Sequence, residues 1–458
     1  MSPGILAAVP VFALVLALPL CGCGLVLGIE ELSAEQGAGW SRRLGETGAQ
    51  AVEDLVLTAD GTLVISGAYQ GTLDLDGKVL PEAEAQAFLA GLDARNGAHR
   101  WATAVPALDQ PAPPALRIAA DGAEIVVAAG FSGRISVGNK LLQGNGVDVL
   151  VARFDAGGQA LAAEQLGGAG EQQALDVAAQ SGAIVLAGDF RDIMSLGGAP
   201  TVGFGGEDAF AAKLGADASH LWHQTFGSTS DDRATRVAVG PDGEVALAGT
   251  AAGEVIFGGS VAFGRALFVA MLGDDGTPAW IQRFGAEGDH LAGIAVGPAG
   301  NVILAGHFSG TLDLDEPLTS DGDADIFVIK FSAQGDLHWS RAFGGPGTQR
   351  CAGLHLDGDG NITLTGDFSG EIGFDGDTLV SEGGADLFVA RLDPNGQHLW
   401  SDAFGGAGDQ RGRAIAADPA GGVFLAGQFQ DEIDLGHDVL QSRSSEDIFV
   451  AKIAPPDQ

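Results

Sequence analysis

Acidic side chains recur five residues after a phenylalanine or leucine in four separate stretches of the sequence. These residues are Glu171, Asp231, Asp289 and Asp409. Carboxylate oxygens are the ligands that a hard cation such as Ca²⁺ prefers, so carboxylates converging from several stretches could bind one. Three further stretches carry Ala49, Gln110 and Thr348 at the same position. Because a dedicated cation site rarely tolerates three neutral members, the pattern favours aspartates that cap turns, with Ca²⁺ binding as the alternative and no other cofactor expected.

A second aspartate recurs at the start of an apolar segment in five stretches. The five residues are Asp148, Asp208, Asp325, Asp386 and Asp447. Repetition at the edge of a strand indicates a hydrogen bond that fixes the preceding loop, since a functional site would occur in one or two stretches. The run 357–361 resembles the start of an EF-hand loop, but Ile362 stands where that loop requires glycine. We therefore predict a hairpin turn at this run.

The histidines and cysteines do not form a catalytic or metal-binding pattern. Four histidines lie one or two residues before a recurring tryptophan position, on strands expected to be far apart: His99, His220, His338 and His398. Cys351 precedes an apolar segment without a histidine partner in its motif, which predicts a buried, unreactive thiol. The sequence after residue 39 has no Ser-His-Asp, His-Glu-x-x-His, P-loop or Cys-x-x-Cys arrangement. We expect a protein that is not an enzyme.

The six tryptophans reveal an internal repeat. They are Trp40, Trp101, Trp222, Trp280, Trp339 and Trp400, with spacings of 61, 121, 58, 59 and 61 residues. Ala162 occupies the missing place within the double gap. A fixed period of this length is typical of a repeat architecture, in which such tryptophans pack between neighbouring units.

Four apolar segments recur within each unit. In the fifth unit they are 293–296, 301–308, 325–331 and 337–343, separated by Gly-, Pro- and Asp-rich segments. Short runs rich in Val, Ile and Phe between such turns predict β-strands, so each unit is a four-stranded antiparallel sheet. The loops between the second and third strands are long and vary between units, whereas the other loops within a unit are short turns. Variable loops on one face of a rigid scaffold often form a binding surface.

The number of third strands defines the architecture. Seven such strands can be counted, and the last unit has no fourth strand after Phe449. A spare strand of the missing type occurs at 40–44, before the first unit. The sequence therefore predicts an all-β fold, a seven-bladed β-propeller of four-stranded antiparallel blades that is closed by the N-terminal strand.

The repeat resembles a known family. The motif Trp-x-x-x-Phe-Gly-Gly-x-Gly-Asp at 400–409, the segment Gly-Gly-Val-Phe-Leu-Ala-Gly at 421–427 and Asp-Ile-Phe-Val-Ala-Lys at 447–452 are similar to the bacterial SBBP-type β-propeller repeat. The resemblance covers residues 40–453. It implies an exported or cell-surface protein, in many family members a lipoprotein, and it implies no particular activity. The second unit departs from the pattern, because residues 107–114 are rich in proline where the other units are rich in glycine.

The first thirty residues predict export. No charged residue lies between Gly4 and Ile29, as in the apolar region of a signal peptide. Leu20–Cys23 resembles the bacterial lipobox, with Cys23 as the lipidated residue because small Gly22 precedes it. The expected domains are a signal peptide at 1–22, a lipidated tether at 23–39 and the propeller at 40–458. An uncleaved membrane anchor at 4–29 and simple secretion are the alternatives.

The net charge of −37 disfavours a nucleic-acid partner, because phosphate binding requires clustered Lys and Arg. We expect a monomeric outer-membrane lipoprotein or cell-surface protein of a bacterial envelope, held at the membrane by its lipid. Its expected function is that of a binding or scaffold module, with a protein or polysaccharide ligand at the long-loop face. A carbohydrate-active lyase or hydrolase and a structural component of the envelope are the alternatives.

Overall fold

The computed structural model describes residues 39–110, 112–257, 260–262, 266–417 and 421–454. Gly37–Gln458 forms one compact unit. The predicted signal peptide and Cys23 lie outside the described residues. Within the described part of the chain, no helix has the length and apolar character needed to cross a bilayer.

Seven sheets of the described residues, numbered 1 to 7 in chain order, share a path of four antiparallel strands, and four smaller sheets consist of short ribbon strands. After a separate strand β1 (Trp40–Leu44), sheet 1 contains β2 (Gln50–Leu57), β3 (Thr62–Asp74), β4 (Val79–Asp93) and β5 (His99–Val105). A short strand β6 (Ala107–Leu108) precedes sheet 2. Sheet 2 contains β7 (Arg117–Asp121), β8 (Glu124–Phe131), β11 (Asp148–Phe154) and β12 (Ala160–Leu166). Its ribbon strands β9 (Arg134–Val137) and β10 (Lys140–Gln143) lie between β8 and β11 in the chain.

Sheet 3 contains β13 (Glu171–Gln180), β14 (Ala183–Met194), β15 (Thr201–Leu214) and β16 (His220–Phe226). Sheet 4 contains β17 (Asp232–Val239), β18 (Val245–Ala251), β21 (Leu267–Leu272) and β22 (Pro278–Phe284), with ribbon strands β19 (Val255–Phe257) and β20 (Ser260–Ala262). Sheet 5 contains β23 (His290–Val296), β24 (Val302–Phe308), β27 (Asp325–Phe331) and β28 (Leu337–Phe343), with ribbon strands β25 (Thr311–Leu312) and β26 (Leu318–Thr319).

Sheet 6 contains β29 (Gly347–Leu356), β30 (Ile362–Ile372), β32 (Asp386–Leu392) and β33 (His398–Phe404), with β31 (Leu379–Val380) as a short fifth strand. Sheet 7 contains β34 (Gln410–Ala417), β35 (Val423–Phe429) and β38 (Asp447–Ile453), with ribbon strands β36 (Glu432–Asp434) and β37 (Val439–Gln441). The predicted fold class, an all-β protein of four-stranded antiparallel sheets of the propeller type, is confirmed.

The fourth strand of sheet 7 is β1, from the other end of the chain. It pairs antiparallel with β38, from Trp40 opposite Lys452 to Leu44 opposite Ile448. The indole of Trp40 also donates a hydrogen bond of 3.1 Å to the carbonyl of Ala94, in the turn between β4 and β5 of sheet 1. One apolar core cluster therefore joins β1, sheet 1 and sheet 7.

The first strands of the sheets are neighbours in space. Each of β2, β7, β13, β17, β23 and β29 contacts the first strand of the next sheet, and β34 contacts β2. Seven apolar clusters fill the spaces between adjacent sheets. The core is thus divided among the interfaces, and the first strands surround a common space.

The tryptophans pack between sheets, as their repeated position predicted. The indole of Trp280 in sheet 4 donates a hydrogen bond of 2.9 Å to the carbonyl of Ala333, in the last turn of sheet 5. Gly335 in that turn has a φ of 89°, and a Cβ there would lie 2.7 Å from the Trp280 ring. Trp101 and Trp222 make the same contact with the next sheet. A tryptophan ring packed against a turn glycine therefore links the outer edges of neighbouring sheets.

The long loops between second and third strands are less irregular than the sequence indicated, because most form two-stranded ribbons. Their alternate apolar side chains, such as Ile135 and Phe374, are fully buried between sheets. In six of the sheets, all except sheet 3, this segment bonds backbone to backbone with the residue after the preceding fourth strand, as from Asp434 to Gly405 at 3.1 Å. The ribbons are therefore part of the packed fold, and their outward side chains alone are free to bind a partner.

Candidate functional site

Three of the four acidic residues in the predicted partial ring cap loops. The carboxylate of Asp231 accepts a hydrogen bond of 3.0 Å from the Glu207 amide, and that of Asp409 accepts one of 3.1 Å from the Ala385 amide. Asp289, buried to 5% exposure, accepts one of 2.7 Å from the Ala286 amide, and burial raises its pKa. The capping role is confirmed for these three residues, whereas Glu171 begins β13 opposite Arg191 and is exposed.

The four carboxylates do not all line one cavity. Asp231 and Asp289 line one open cavity of about 520 Å³, and neither Glu171 nor Asp409 lines it. Within the ranges that the structure describes, no group of three or more His, Cys, Asp or Glu side chains is arranged to hold a metal ion. Ca²⁺ binding by these residues stays a prediction.

The second set of aspartates fixes loops, as predicted. Asp325, for example, accepts a hydrogen bond of 3.0 Å from the Asp321 amide, and Asp386 accepts one of 2.8 Å from the Glu382 amide. Both are nearly inaccessible to solvent, and burial raises the pKa of each. The glycine after the last strand of the same sheet is required by this packing: a Cβ on Gly405 would lie 2.2 Å from a carboxylate oxygen of Asp386.

The remaining sequence candidates are structural. The Asp357 carboxylate accepts hydrogen bonds from the Asp359 and Asn361 amides within the turn between β29 and β30, as predicted. Cys351 is buried in β29, and burial raises its pKa to about 12, so its thiol is unreactive. The four histidines begin the fourth strands of different sheets.

The sequence analysis missed a set of charged residues on the first strands. Six of these strands contain a β-bulge, and the residue after the bulge turns toward the space that the seven first strands surround. β7 begins at the equivalent position, since Arg117 pairs with Ala128 as Asp54 pairs with Ser66. In sheet order this position carries Asp54, Arg117, Asp176, Arg236, Gly293, Gly353 and Ala414. The repeat is thus broken: four consecutive sheets contribute alternating charges, and three contribute almost no side chain.

These residues line a cavity of about 180 Å³, the axial cavity, together with Glu53 and Arg413. The two aspartates are held by backbone amides of neighbouring sheets. Asp54 accepts a hydrogen bond of 3.0 Å from the Ile118 amide, and Asp176 accepts one of 2.8 Å from the Val237 amide. Burial raises the pKa of Asp54 to about 6 although Arg117 opposes the shift, and it also raises the pKa of Asp176. Two carboxylates with raised pKa values therefore lie within the cavity.

The arginines of the axial cavity bond mainly to carbonyl groups. Arg236 donates from Nε to the Ala292 carbonyl at 2.8 Å and from Nη1 to the Thr235 carbonyl at 2.7 Å. Arg117 donates to the Glu53 carbonyl at 3.3 Å, and its distance to the Glu53 carboxylate is 3.9 Å. Burial lowers the pKa of Arg236, which nevertheless stays charged because a guanidinium starts so high. The cavity therefore holds guanidinium groups that are poorly paired with carboxylates.

We predict that Asp54→Asn changes how stability depends on pH. The pKa of Asp54 is about 6 in the folded protein and 3.8 ordinarily, so the native state binds this proton more tightly than the unfolded state does. The proton therefore stabilises the native state at low pH, and this stabilisation is lost as the pH rises through 6. Two units correspond to about 3 kcal/mol. Between about pH 4 and pH 7.5, the free energy of unfolding of the wild type should fall relative to the variant by up to this amount.

Urea unfolding at both pH values measures this difference. Asp54→Asn also removes one carboxylate oxygen that accepts a hydrogen bond. This cost is the same at both pH values, so it cancels when they are compared. Asp359→Asn, in an exposed turn, is the control and should follow the wild type. Parallel pH profiles for wild type and Asp54→Asn would contradict the prediction.

The comparisons with known proteins show only distant similarity. No family model matches the sequence. The chain is 26% identical over 154 residues to an uncharacterised WD repeat-containing protein of Acanthamoeba polyphaga mimivirus, a match that covers 30% of this chain and 11% of that protein. The chain thus spans far less than two thirds of that relative.

Two solved structures are similar to this chain at low scores. Hydrazine synthase of Kuenenia stuttgartiensis is 11% identical with a TM-score of 0.48, covering 87% of this chain and 97% of the other. A quinohemoprotein alcohol dehydrogenase of Pseudomonas putida is 11% identical with a TM-score of 0.41, covering 93% and 78%. At this distance neither structure indicates an activity or a ligand for this chain.

Proposed function

We propose that this protein is an exported, membrane-anchored binding module built on a closed seven-bladed propeller of the SBBP type. Cys23 would carry the lipid, and the propeller would face its partner with the ribbons. These are defined as the segments between second and third strands together with, in sheets 1 and 3, the outer ends of those two strands (residues 71–83 and 193–204). The partner would be a protein or polysaccharide of the cell envelope. No catalytic role is included in this proposal.

The pairing of β1 with β38 supports closure. It supplies sheet 7 with a fourth strand, and the contact between β34 and β2 brings the first strands of the terminal sheets together. A propeller that closes in this way leaves few strand edges exposed and is rigid enough to present a fixed surface.

The distribution of exposed apolar side chains carries the binding proposal. Among the described residues, most large apolar side chains that are exposed lie on the ribbons: Val79, Leu141, Ile193, Val202, Phe204, Ile256, Val380 and Val439. Leu161, Leu221 and Leu399 lie instead on fourth strands. Exposed apolar side chains that concentrate on one set of segments are typical of an interaction surface.

The ribbon of sheet 3 is the strongest candidate for contact with a partner. Val202 is 71% exposed and Phe204 is 41% exposed. Alternate residues of a strand share a face, so these two side chains point the same way, and Ile193 pairs directly with Val202 across the ribbon. An aromatic and two branched side chains on one ribbon face form an apolar anchor of the kind that dominates binding energy.

We predict that the double substitution Val202→Ser and Phe204→Ser weakens partner binding by about tenfold or more, because the loss of a binding anchor exceeds 1.4 kcal/mol. The measurement is affinity capture from envelope extract by the tagged propeller, quantified by mass spectrometry for wild type and variant. Leu221→Ser with Leu399→Ser, equally exposed on fourth strands, is the matched control.

The control should retain the same partner as the wild type. A partner recovered equally by the ribbon variant would show that this ribbon is not the binding surface. Repeating the capture with EDTA examines the Ca²⁺ alternative, since a cation held by the loop aspartates would make recovery sensitive to chelation.

A further inference from the structure

The axial cavity contains two guanidinium groups that make no ion pair within 4.0 Å among the described residues, although Asp176 attracts Arg236 from a greater distance. Among the arginines that the structure describes, most lie within 4.0 Å of a carboxylate, as Arg350 does with Asp367 and Arg411 with Asp409. Arg236 and Arg413 have no such partner among the described residues. In a chain with 60 acidic and 23 basic residues, unpaired arginines are unexpected. Both of them line the same cavity.

Each of these arginines has free hydrogen-bond donors. Arg413 donates from Nε to the Gln428 side chain at 2.9 Å, and no acceptor for its two terminal nitrogens lies within bonding range in the described part of the chain. Arg236 likewise uses Nε and Nη1 for carbonyls, which leaves Nη2 without an acceptor among the described residues. Free donors of a charged guanidinium favour an anionic acceptor, since charge-assisted hydrogen bonds are stronger than neutral ones.

Small residues occupy the first strands between the two arginines. Arg236 belongs to sheet 4 and Arg413 to sheet 7, and Gly293, Gly353 and Ala414 occupy the equivalent position in sheets 5, 6 and 7. A Cβ on Gly293 would lie 2.8 Å from Leu354 of the next first strand, so the glycine lets the strands pack closely and places no side chain between the two guanidiniums. Asp54 and Asp176 belong to sheets 1 and 3, outside this range of sheets, and backbone amides occupy their oxygens.

We propose that the axial cavity binds a small oxyanion, of the phosphate or carboxylate class, between the guanidiniums of Arg236 and Arg413. The cavity of about 180 Å³ equals the volume of about six water molecules in the liquid. This volume admits a phosphate ion or a short dicarboxylate and excludes a nucleotide. Arginine forks match the oxygen geometry of both classes through paired hydrogen bonds. The site is separate from the ribbons, so it does not depend on the proposed binding surface.

The experiment uses the full chain and two probes, inorganic phosphate and malonate, each titrated up to about 10 mM at constant ionic strength with chloride. Isothermal titration calorimetry gives the affinity, thermal unfolding gives the shift in Tm, and ³¹P NMR reports bound phosphate. We expect saturable binding of at least one probe and a higher Tm in its presence. Phosphate alone, malonate alone or both would identify the class of ligand.

The key variant is Arg413→Gln, because this side chain is exposed to the cavity and its removal leaves the packed core intact. Its dissociation constant should rise by about tenfold or more, and Arg236→Gln should do the same if it folds. Arg443→Gln, which removes an equal charge from a surface pair with Glu46, should bind like the wild type. No binding of either probe by the wild type, or equal weakening in Arg443→Gln, would overturn the proposal.

Discussion

Deletion of the strand Trp40–Leu44 is expected to lower the free energy of unfolding by on the order of 10 kcal/mol, enough to unfold most of the molecules. The strand supplies the whole outer edge of sheet 7. Trp40 is 7% exposed and Leu44 is fully buried, and removing such side chains costs about 2–5 kcal/mol each. The backbone bonds to β38 are lost in addition.

The charge on this strand adds to the effect. Arg43 makes an ion pair of 3.0 Å with Asp447, whose side chain is inaccessible to solvent. Deletion leaves this carboxylate buried without its cation, which is costlier than the loss of a surface pair. It also exposes the edge of β38, so the shortened chain should aggregate through new strand pairing.

Chemical and thermal unfolding of the deleted chain measure this effect. Two single variants separate packing from surface charge: Trp40→Ala should cost about 3–5 kcal/mol, and Arg42→Ala about 1 kcal/mol, because Arg42 pairs with a mostly exposed Asp76. An unfolding curve of the deleted chain that coincides with the wild type would refute the closure proposed above.

Gly405→Ala is expected to destabilise the protein by about 3 kcal/mol, a large effect for one added methyl group. The new Cβ would lie 2.2 Å from Asp386 Oδ2 and 2.3 Å from its Cγ. Asp386 cannot retreat without losing its bond to the Glu382 amide, and it is only 1% exposed. The added methyl group therefore clashes with a buried carboxylate that cannot move away.

Gly358→Ala is the matched control, because a Cβ at this position meets no atom within 4 Å and its backbone needs no positive φ. Urea unfolding should separate the two variants clearly. Adding Asp386→Ala to Gly405→Ala should cost less than the sum of the single changes, since the clash disappears with the carboxylate. Equal stabilities of Gly405→Ala and Gly358→Ala would contradict this reasoning.

The contact between this glycine and aspartate could be read from the sequence in part. Sheet 1 has Gln86 where five other sheets have the aspartate, and it has Pro106 where they have the glycine. Sheet 4 keeps the glycine as Gly285 but has Ala266 in place of the aspartate, so the pairing of the two residue types holds in five sheets. The strand segments and tryptophan spacing were predictable for a similar reason: each signal recurs in several units and depends on local sequence.

The axial cavity was not predictable in the same way. Asp54 follows Glu53 in the sequence, and two adjacent acidic residues are typical of an exposed surface. Its inward direction depends on a bulge, since the register shifts between Val52 and Asp54. One inserted residue reverses the faces of a strand, and hydrophobic patterning does not locate such an insertion. The ribbons were missed because each two-residue or three-residue strand is too short to show periodicity.

The contacts between sheets also bear on how such a chain could grow. Most units face their successor with an indole on a glycine and their predecessor with a ribbon bonded to the residue after the last strand. Most interfaces thus use the same two connectors, and Ala162 shows that one indole can be absent. Duplication of a gene segment encoding one unit would create a sheet already compatible with both neighbours, so repeats of this kind can multiply by copying without new interface residues.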